Sequence, residues 1–330
     1  MTLDNKDSFA LYRFPYSNEF HLIKGNWSLE KSNTSTNFAI TSFTDKKPVY
    51  LIGEQTIIKE SIRITSSDTT SFNPFITSKD SYLKTAEEFI CLCKQTSLRK
   101  IILSRIIRHP NSAEDYFTLF NKICAKYDHS FNYIMNHPTR GMWMGASPEE
   151  LVVGDTKNNY STSALAGSQQ WSENISWTKK EIEEQQYVKN FIENILNKHA
   201  LETNCECDLK TVKAGNIAHL KSTFTFKAAG PILNIINKIH PTPAISGFPV
   251  DQALKKITEH EKHDRSLYCG YIGEMSEKST QLYVNLRCMQ ITKDFLYLHV
   301  GGGLTHLSNP NLEWEETNIK SQTLLSILKK

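Results

Sequence analysis

The chain has 330 residues, long enough for one large domain or two ordinary ones around a substantial apolar core. Hydrophobic residues make up 39% and charged residues 22%, which argues against a disordered or membrane-spanning class, and a net charge of +3 without any sustained Lys/Arg block argues against nucleic acid as a partner. The opening MTLDNKDSFALYRF lacks the basic-then-apolar run of a secretion signal, and the seven cysteines, with C-x-C pairs at Cys91/Cys93 and Cys205/Cys207 but no wider C-x-x-C framework, read as reduced thiols of a cytoplasmic protein.

Residues 1–78 are rich in Ser, Thr and Asn with short β-like runs such as PVYLIG, and read as a peripheral N-terminal segment of the same fold; the motifs fall within 79–330. In DSYLKTAEEFICLC the spacing of Tyr82, Ala86, Phe89, Ile90 and Cys93 predicts an amphipathic helix, and the β-branched IILSRII after it a strand. EDYFTLFNKICAKY (114–127) repeats the helical period; FNYIMNH and GMWMGAS read as a hairpin turning at 138–141, and ELVVGD with YSTSALAG as a second around Lys157. A long helix follows over Thr178–Lys198, with Ile182, Val188, Phe191, Ile192, Ile195 and Leu196 as its buried stripe. Beyond it come a strand near LKTVKAG, a loop, short helices near 231–239 and 249–258, three strands (YCGYIGEM, QLYVNLRCMQI, FLYLHVGG) and a final helix from about Leu312 to the end. Connections too short for helical crossovers require antiparallel pairing. The expected architecture is a single α+β domain with large antiparallel sheets in the centre and helices packed outside.

Several residues could carry chemistry. Glu313, Glu316 and Lys320 share one face of the last helix, and Glu181 and Glu184 repeat the three-residue spacing on the long central helix. Either set alone is also what a solvated helix face looks like; if the two helices face one another, their hard oxygens suit Mg²⁺ and an anionic substrate. The run Gly301-Gly302-Gly303 at a strand end marks close backbone approach or a flexible loop. Arg287, in a mostly apolar run, needs an anion, either a ligand or an internal carboxylate. Lys100 and Glu149 could serve as base and acid if burial moves their pKa values, or be ordinary strand-edge charges, and His219 could be structural. No G-x-S-x-G, H-E-x-x-H, Walker or Rossmann pattern points elsewhere.

In order, KIILSR, GASPEE, ALAGS, EIEEQQ, IAHLKS, HPTPAISGFP, DRSLYCGYIGE, LRC, GGGL and EWEETNIK resemble the chorismate-utilising enzymes, with isochorismate synthases of menaquinone and siderophore pathways nearest. The resemblance spans about Lys100 to Lys320 and implies that 79–330 is a chorismate-binding catalytic domain. It implies Glu184 and Glu316 as Mg²⁺ ligands, with Glu181 and Glu313 close by or acting through water, and Lys320 adding positive charge. Arg287, Tyr268 and the amides of Gly301 and Gly303 would hold the enolpyruvyl carboxylate, and Gly167, Ser168 and His219 would line the ring. Lys100 matches the base that activates water for addition at ring C2, and Glu149 the acid that assists departure of the C4 hydroxyl. The HPTPAISGFP block differs from the P-x-G-S-I-T-G-A-P of ammonia-using relatives. Ala244 stands where salicylate synthases typically carry threonine, which leaves a salicylate-forming lyase as the alternative, with a catalytically silent binding relative as the third reading. Two departures, Ala164 before LAG and His263 before Asp264-Arg265, are expected to touch the ring pocket. The implied partner is chorismate alone, without nucleic acid, membrane or a glutamine amidotransferase subunit, in a monomer or weak homodimer.

Overall fold

The computed structural model describes every residue except 5, 34, 66–71, 114, 156, 215–216, 277–278 and 329–330, and leaves the side chains of 207, 208 and 214 undescribed. The first position of the helix expected from Glu114 and the last two of the helix expected to reach the C-terminus therefore lie outside the described residues.

In chain order, the N-terminal segment forms β1 (Thr2–Leu3), β2 (Phe9–Arg13), β3 (Phe20–Ser28), β4 (Asn37–Ile40), β5 (Val49–Ile58) and β6 (Arg63–Ile64). Helix α1 (Lys79–Gln95) starts where the Ser78 side chain accepts from the Ser81 amide, and buries the five residues its spacing predicts. Then come β7 (Lys100–Pro110), α2 (Tyr116–Lys126), capped by Asp115, and the hairpin of β8 (Phe131–His137) and β9 (Gly141–Ser147), whose turn needs Gly141 at φ +71°. A second hairpin joins β10 (Glu150–Asp155) to β11 (Asn159–Gln170), and α3 (Lys179–His199) leads into β12 (Ala200–Ala214) and β13 (Ile217–Ala228). The remainder is α4 (Ile232–Ile239), β14 (Gly247–Phe248), α5 (Val250–His260), β15 (Tyr271–Met275), β16 (Ser279–Val284), β17 (Cys288–Ile291), β18 (Phe295–Thr305) and α6 (Pro310–Leu328).

Among the described residues β1 and β6 pair with each other, and the other strands form one 16-stranded antiparallel sheet in the order β12-β13-β11-β10-β16-β15-β4-β5-β3-β2-β8-β9-β17-β18-β7-β14. A twisted sheet of that length must curl. Here it brings β11 and β13, near one end, across a cleft from β7 and β18 near the other. The N-terminal strands β2 to β5, expected at the periphery, stand in the middle of the order and join the two halves.

Three further expectations change. The run QLYVNLRCMQI is two strands, β16 and β17, because Asn285–Arg287 leave the extended conformation and Arg287 adopts φ +47°. IAHLKS, expected in a loop, begins β13, half of a long hairpin with β12. Ile182 is 45% exposed, and the buried face of α3 instead runs through Glu181, Gln185, Val188, Ile192 and Leu196. Gln185 is tolerated inside because its amide reaches the Ser222 hydroxyl at 3.1 Å. The larger apolar cluster, including Tyr82, Phe89, Leu103, Ile192 and Phe224, spans both ends of the sheet, and a second one under α2 includes Phe120, Ile123, Met144 and Leu298. Each fully buried side chain of this size contributes on the order of 2–3 kcal/mol. Together they hold the walls of the cleft.

Candidate active site

The cleft between the sheet ends encloses about 710 Å³ of empty space, part of it open solvent, and is lined by both apolar and charged side chains, as small-molecule sites are. Lys100, Glu149, Gly167, Ser168, Glu184, His219, Ala244, Tyr268, Arg287, Gly301, Gly303 and Lys320 all line it, so twelve residues scattered over more than 200 positions converge.

Its floor is β18. The Ser104 amide donates to Glu261 Oε1 (2.7 Å) and the Ile102 amide to the Ser246 carbonyl (3.0 Å), so both point away from β18. Gly301–Ser104 and Gly303–Ile102 are therefore non-hydrogen-bonded pairs of the antiparallel ladder, and the amides of Gly301 and Gly303 face the opposite edge. There β17 has ended, at the Cys288–His299 pair, and Lys320 Nζ reaches the Gly301 carbonyl at 3.0 Å. The glycines are required by crowding as well. A Cβ on Gly303 would sit 2.6 Å from Glu184 Oε1 and 3.0 Å from Lys100 Cε; one on Gly301 would meet Tyr268 Oη at 3.0 Å.

Glu149, at the β9–β10 corner, is 5% exposed, and burial pushes its carboxyl up to about 7 against the pull of Lys100, Arg287 and Lys320. Lys100, at the start of β7, is 1% exposed and pairs with Glu184 at 2.8 Å. Arg287 lies deep but keeps one face open to the cleft; burial weighs against its charge, and among the described residues its guanidinium has no carboxylate within ion-pairing distance. His219 is held neutral: burial, then Arg287 and Lys320, bring it down to about 3. Its Nδ1 lies 3.1 Å from the Gly167 carbonyl, which places the proton there and, among the described residues, leaves Nε2 without a partner. Gly167 takes φ +68° at a bulge in β11, turning Ser168 toward His219.

The expected metal ligands divide. Glu181 closes a capping box at the start of α3, accepting from the Thr178 amide at 2.9 Å, so its carboxylate serves the helix terminus and not the cleft. Glu184, Glu313 and Glu316 come together from α3 and α6, each paired with a lysine: Lys100, Lys180 at 2.5 Å, and Lys320 at 2.6 Å. Glu313 is 2% exposed, and burial followed by repulsion from Glu316 raises it to about 7 against Lys180 and the Ser308 hydroxyl; among the described residues its Oε2 meets no donor at full hydrogen-bond geometry, Ser308 being a weaker neighbour. Glu316 stays low because Lys320 and Lys180 outweigh its burial. Among the described residues no preformed cage of three His, Cys, Asp or Glu exists. A buried, unpartnered carboxylate oxygen beside two more carboxylates nevertheless fits a hard divalent ion that keeps part of its water. Lys180, which belongs to none of the motifs above, links the two helices through Glu313; in the sequence only its i,i+4 spacing to Glu184 marks it.

The two departures do not reach the cleft. Ala164 is fully buried in β11, where its carbonyl faces Gln185, and His263 lies behind β7 with Nε2 2.8 Å from the Ser104 hydroxyl. Cys269, Leu286 and His299 line the cleft and were not anticipated, since nothing in their local sequence marks them. Cys91, Cys93, Cys124, Cys269 and Cys288 are free thiols, and among the described residues no helix is long and apolar enough to cross a membrane.

The chain belongs to the chorismate-binding enzymes: the sequence profile described as "Chorismate binding enzyme" matches residues 25–329, a span that holds every residue lining the cleft. Isochorismate synthase EntC of Escherichia coli (strain K12) is 29% identical over 242 residues, 69% of this chain and 62% of that protein. The vibriobactin-specific isochorismate synthase of Vibrio cholerae is 25% identical over 264 residues, 76% of this chain and 67% of its own. The match thus spans somewhat less than two thirds of EntC. Among solved structures, the menaquinone-specific isochorismate synthase MenF from Escherichia coli superimposes with a TM-score of 0.83 over 98% of this chain and 89% of its own, at 16% identity.

Proposed function

We propose that the protein is an isochorismate synthase that converts chorismate to isochorismate with Mg²⁺, adding water at ring C2 as the C4 hydroxyl leaves. The observation that carries this reading is Glu149, a buried carboxyl raised to about 7 and opening onto the same cleft as Lys100 and the unpaired Arg287. A carboxyl that keeps its proton near neutral pH can deliver it to a departing hydroxyl, which an ionised glutamate cannot. Lys100, which opens onto the same cleft, would take the proton of the attacking water, a role that requires it to leave its pairing with Glu184 and act as the neutral amine. Arg287, Tyr268 and the amides of Gly301 and Gly303 bind the enolpyruvyl carboxylate, while Gly167, Ser168, His219 and Ala244 shape the ring site. Glu184, Glu313 and Glu316 would hold Mg²⁺, which when bound supplies concentrated positive charge for the ring carboxylate. Lys320 adds charge beside it. The neutral His219 fits a wall that must not compete for the carboxylates.

The names of the relatives support this over a lyase. The protein is further proposed to work in the cytoplasm, as a monomer or weak homodimer without a glutamine amidotransferase subunit. The test is product analysis after incubating the purified protein with chorismate and Mg²⁺. Isochorismate without released pyruvate is expected; salicylate with pyruvate would replace the reading by a salicylate synthase, and unchanged chorismate would overturn it.

A further inference from the structure

Lys180 stands in an unusual place. It lies in the first turn of α3, where the helix dipole disfavours a cation, and it is largely buried, where an ammonium must find compensating charge. Its neighbour Lys179 solves the same problem by remaining 83% exposed beside Glu183. Lys180 instead turns inward to Glu313, Nζ to Oε1 at 2.5 Å, with Glu184 and Glu316 as its next electrostatic partners. Of the three lysines in the cluster, Lys100 comes from β7 and Lys320 shares α6 with its partner Glu316. Lys180 alone ties α3 to α6 through a carboxylate of the proposed metal site.

We infer that Lys180 is a resident cation occupying the carboxylate cluster, which the divalent ion must displace to bind. The inference rests on the metal reading of the cluster and goes beyond it. Three lysines stand against the three carboxyl groups, so repulsion between the acids of α3 and α6 is offset without an ion. A divalent ion engaging Glu313 through Oε2 would stand across one carboxylate from the ammonium held on Oε1, and the two cations repel. That repulsion drives Lys180 outward, a route left open because its side chain is 20% exposed and the chain before it, at 171–174, is exposed. Lys180 thereby sets the ion concentration the protein requires.

The test uses Mn²⁺ alone, without substrate, on the full chain freed of metal by chelation, with uptake read from loss of the free-ion electron paramagnetic resonance signal. Lys180→Met is expected to bind Mn²⁺ at least about tenfold more tightly than the wild type. Lys179→Met, which removes the same charge one residue away at the surface, should stay within about twofold. Adding Glu316→Gln to Lys180→Met should abolish the gain, locating the ion in the cluster. If Lys180→Met is poorly folded by circular dichroism, Lys180→Gln carries the same expectation. Equal affinity in wild type and Lys180 variants, or an equal gain from Lys179→Met, overturns the inference and leaves the metal site standing. Absence of Mn²⁺ uptake by both wild type and Lys180 variants at millimolar ion overturns the metal reading and the inference with it.

Discussion

Glu149→Gln removes the one carboxyl whose ionisation the fold opposes at the heart of the cleft, and its effect on stability can be worked out in advance. The folded protein holds this proton until about pH 7, whereas an unfolded chain releases it near 4.5. Between those values the folded state binds the additional proton, so stability falls as pH rises, and the loss is complete above pH 7. A displacement of that size is worth about 3 kcal/mol. Glutamine is neutral throughout and nearly isosteric, so the variant should match the wild type within about 1 kcal/mol at pH 5 and exceed it by about 3 kcal/mol at pH 8. Urea unfolding at the two pH values, in the presence of a chelator, measures the difference. Glu313 is raised to about 7 as well, and four histidines are lowered to between about 3 and 4, so wild-type stability alone would mix several titrations; the difference between the two proteins isolates Glu149. The same substitution should cut turnover by about 10²- to 10⁴-fold, since an amide cannot donate the proton, and wild-type turnover should decline above pH 7. A stability difference that does not change between pH 5 and pH 8 would refute the argument, because Glu149 would then be ionised and paired in the free protein.

Lys100→Met should reduce turnover by at least about 10²-fold with circular dichroism unchanged; both it and Lys100→Ala leave Glu184 unpaired and should lose stability in urea unfolding, and the alanine should lose about 2 kcal/mol more because the space of the lysine stem is left unfilled. Arg287→Ala should raise KM for chorismate about 100-fold, with a smaller effect on kcat, as removal of a charged hydrogen-bond donor from a bound carboxylate requires; steady-state kinetics separate the two. Gly303→Ala should lower kcat/KM more than tenfold, since the added methyl displaces Glu184 and Lys100, while Gly230→Ala, with nothing within 4 Å, should leave it unchanged. Chelation should abolish turnover, and added Mg²⁺ should restore it.

Much of the helical framework was legible because it follows local rules. The stripe of α1 is the one its spacing predicts, and the hairpin turns fall where glycine and short polar runs allow them. The failures are equally physical. Ile182 has the right period for burial but lies beyond the surface the sheet covers, and Glu181 and Gln185 took the inner face because capping and amide hydrogen bonds satisfy them there. The strand through Arg287 looked continuous, since a left-handed residue other than glycine leaves no mark in composition. That break ends β17 early, and so opens the edge on which the Gly301 and Gly303 amides are free.

The sequence by itself determined which groups are available: an acid, a base, an arginine, glycines and paired glutamates in an order that marks a family. Only the tertiary structure decided their states. Whether Glu149 keeps its proton depends on burial by residues distant along the chain; whether Glu181 caps a helix or faces the cleft depends on a choice between partners; and the lysine that neutralises Glu313 is 133 positions away from it. Charge and protonation are set by the summed field of neighbours in space, and neighbours in space come only from the way the sheet curls.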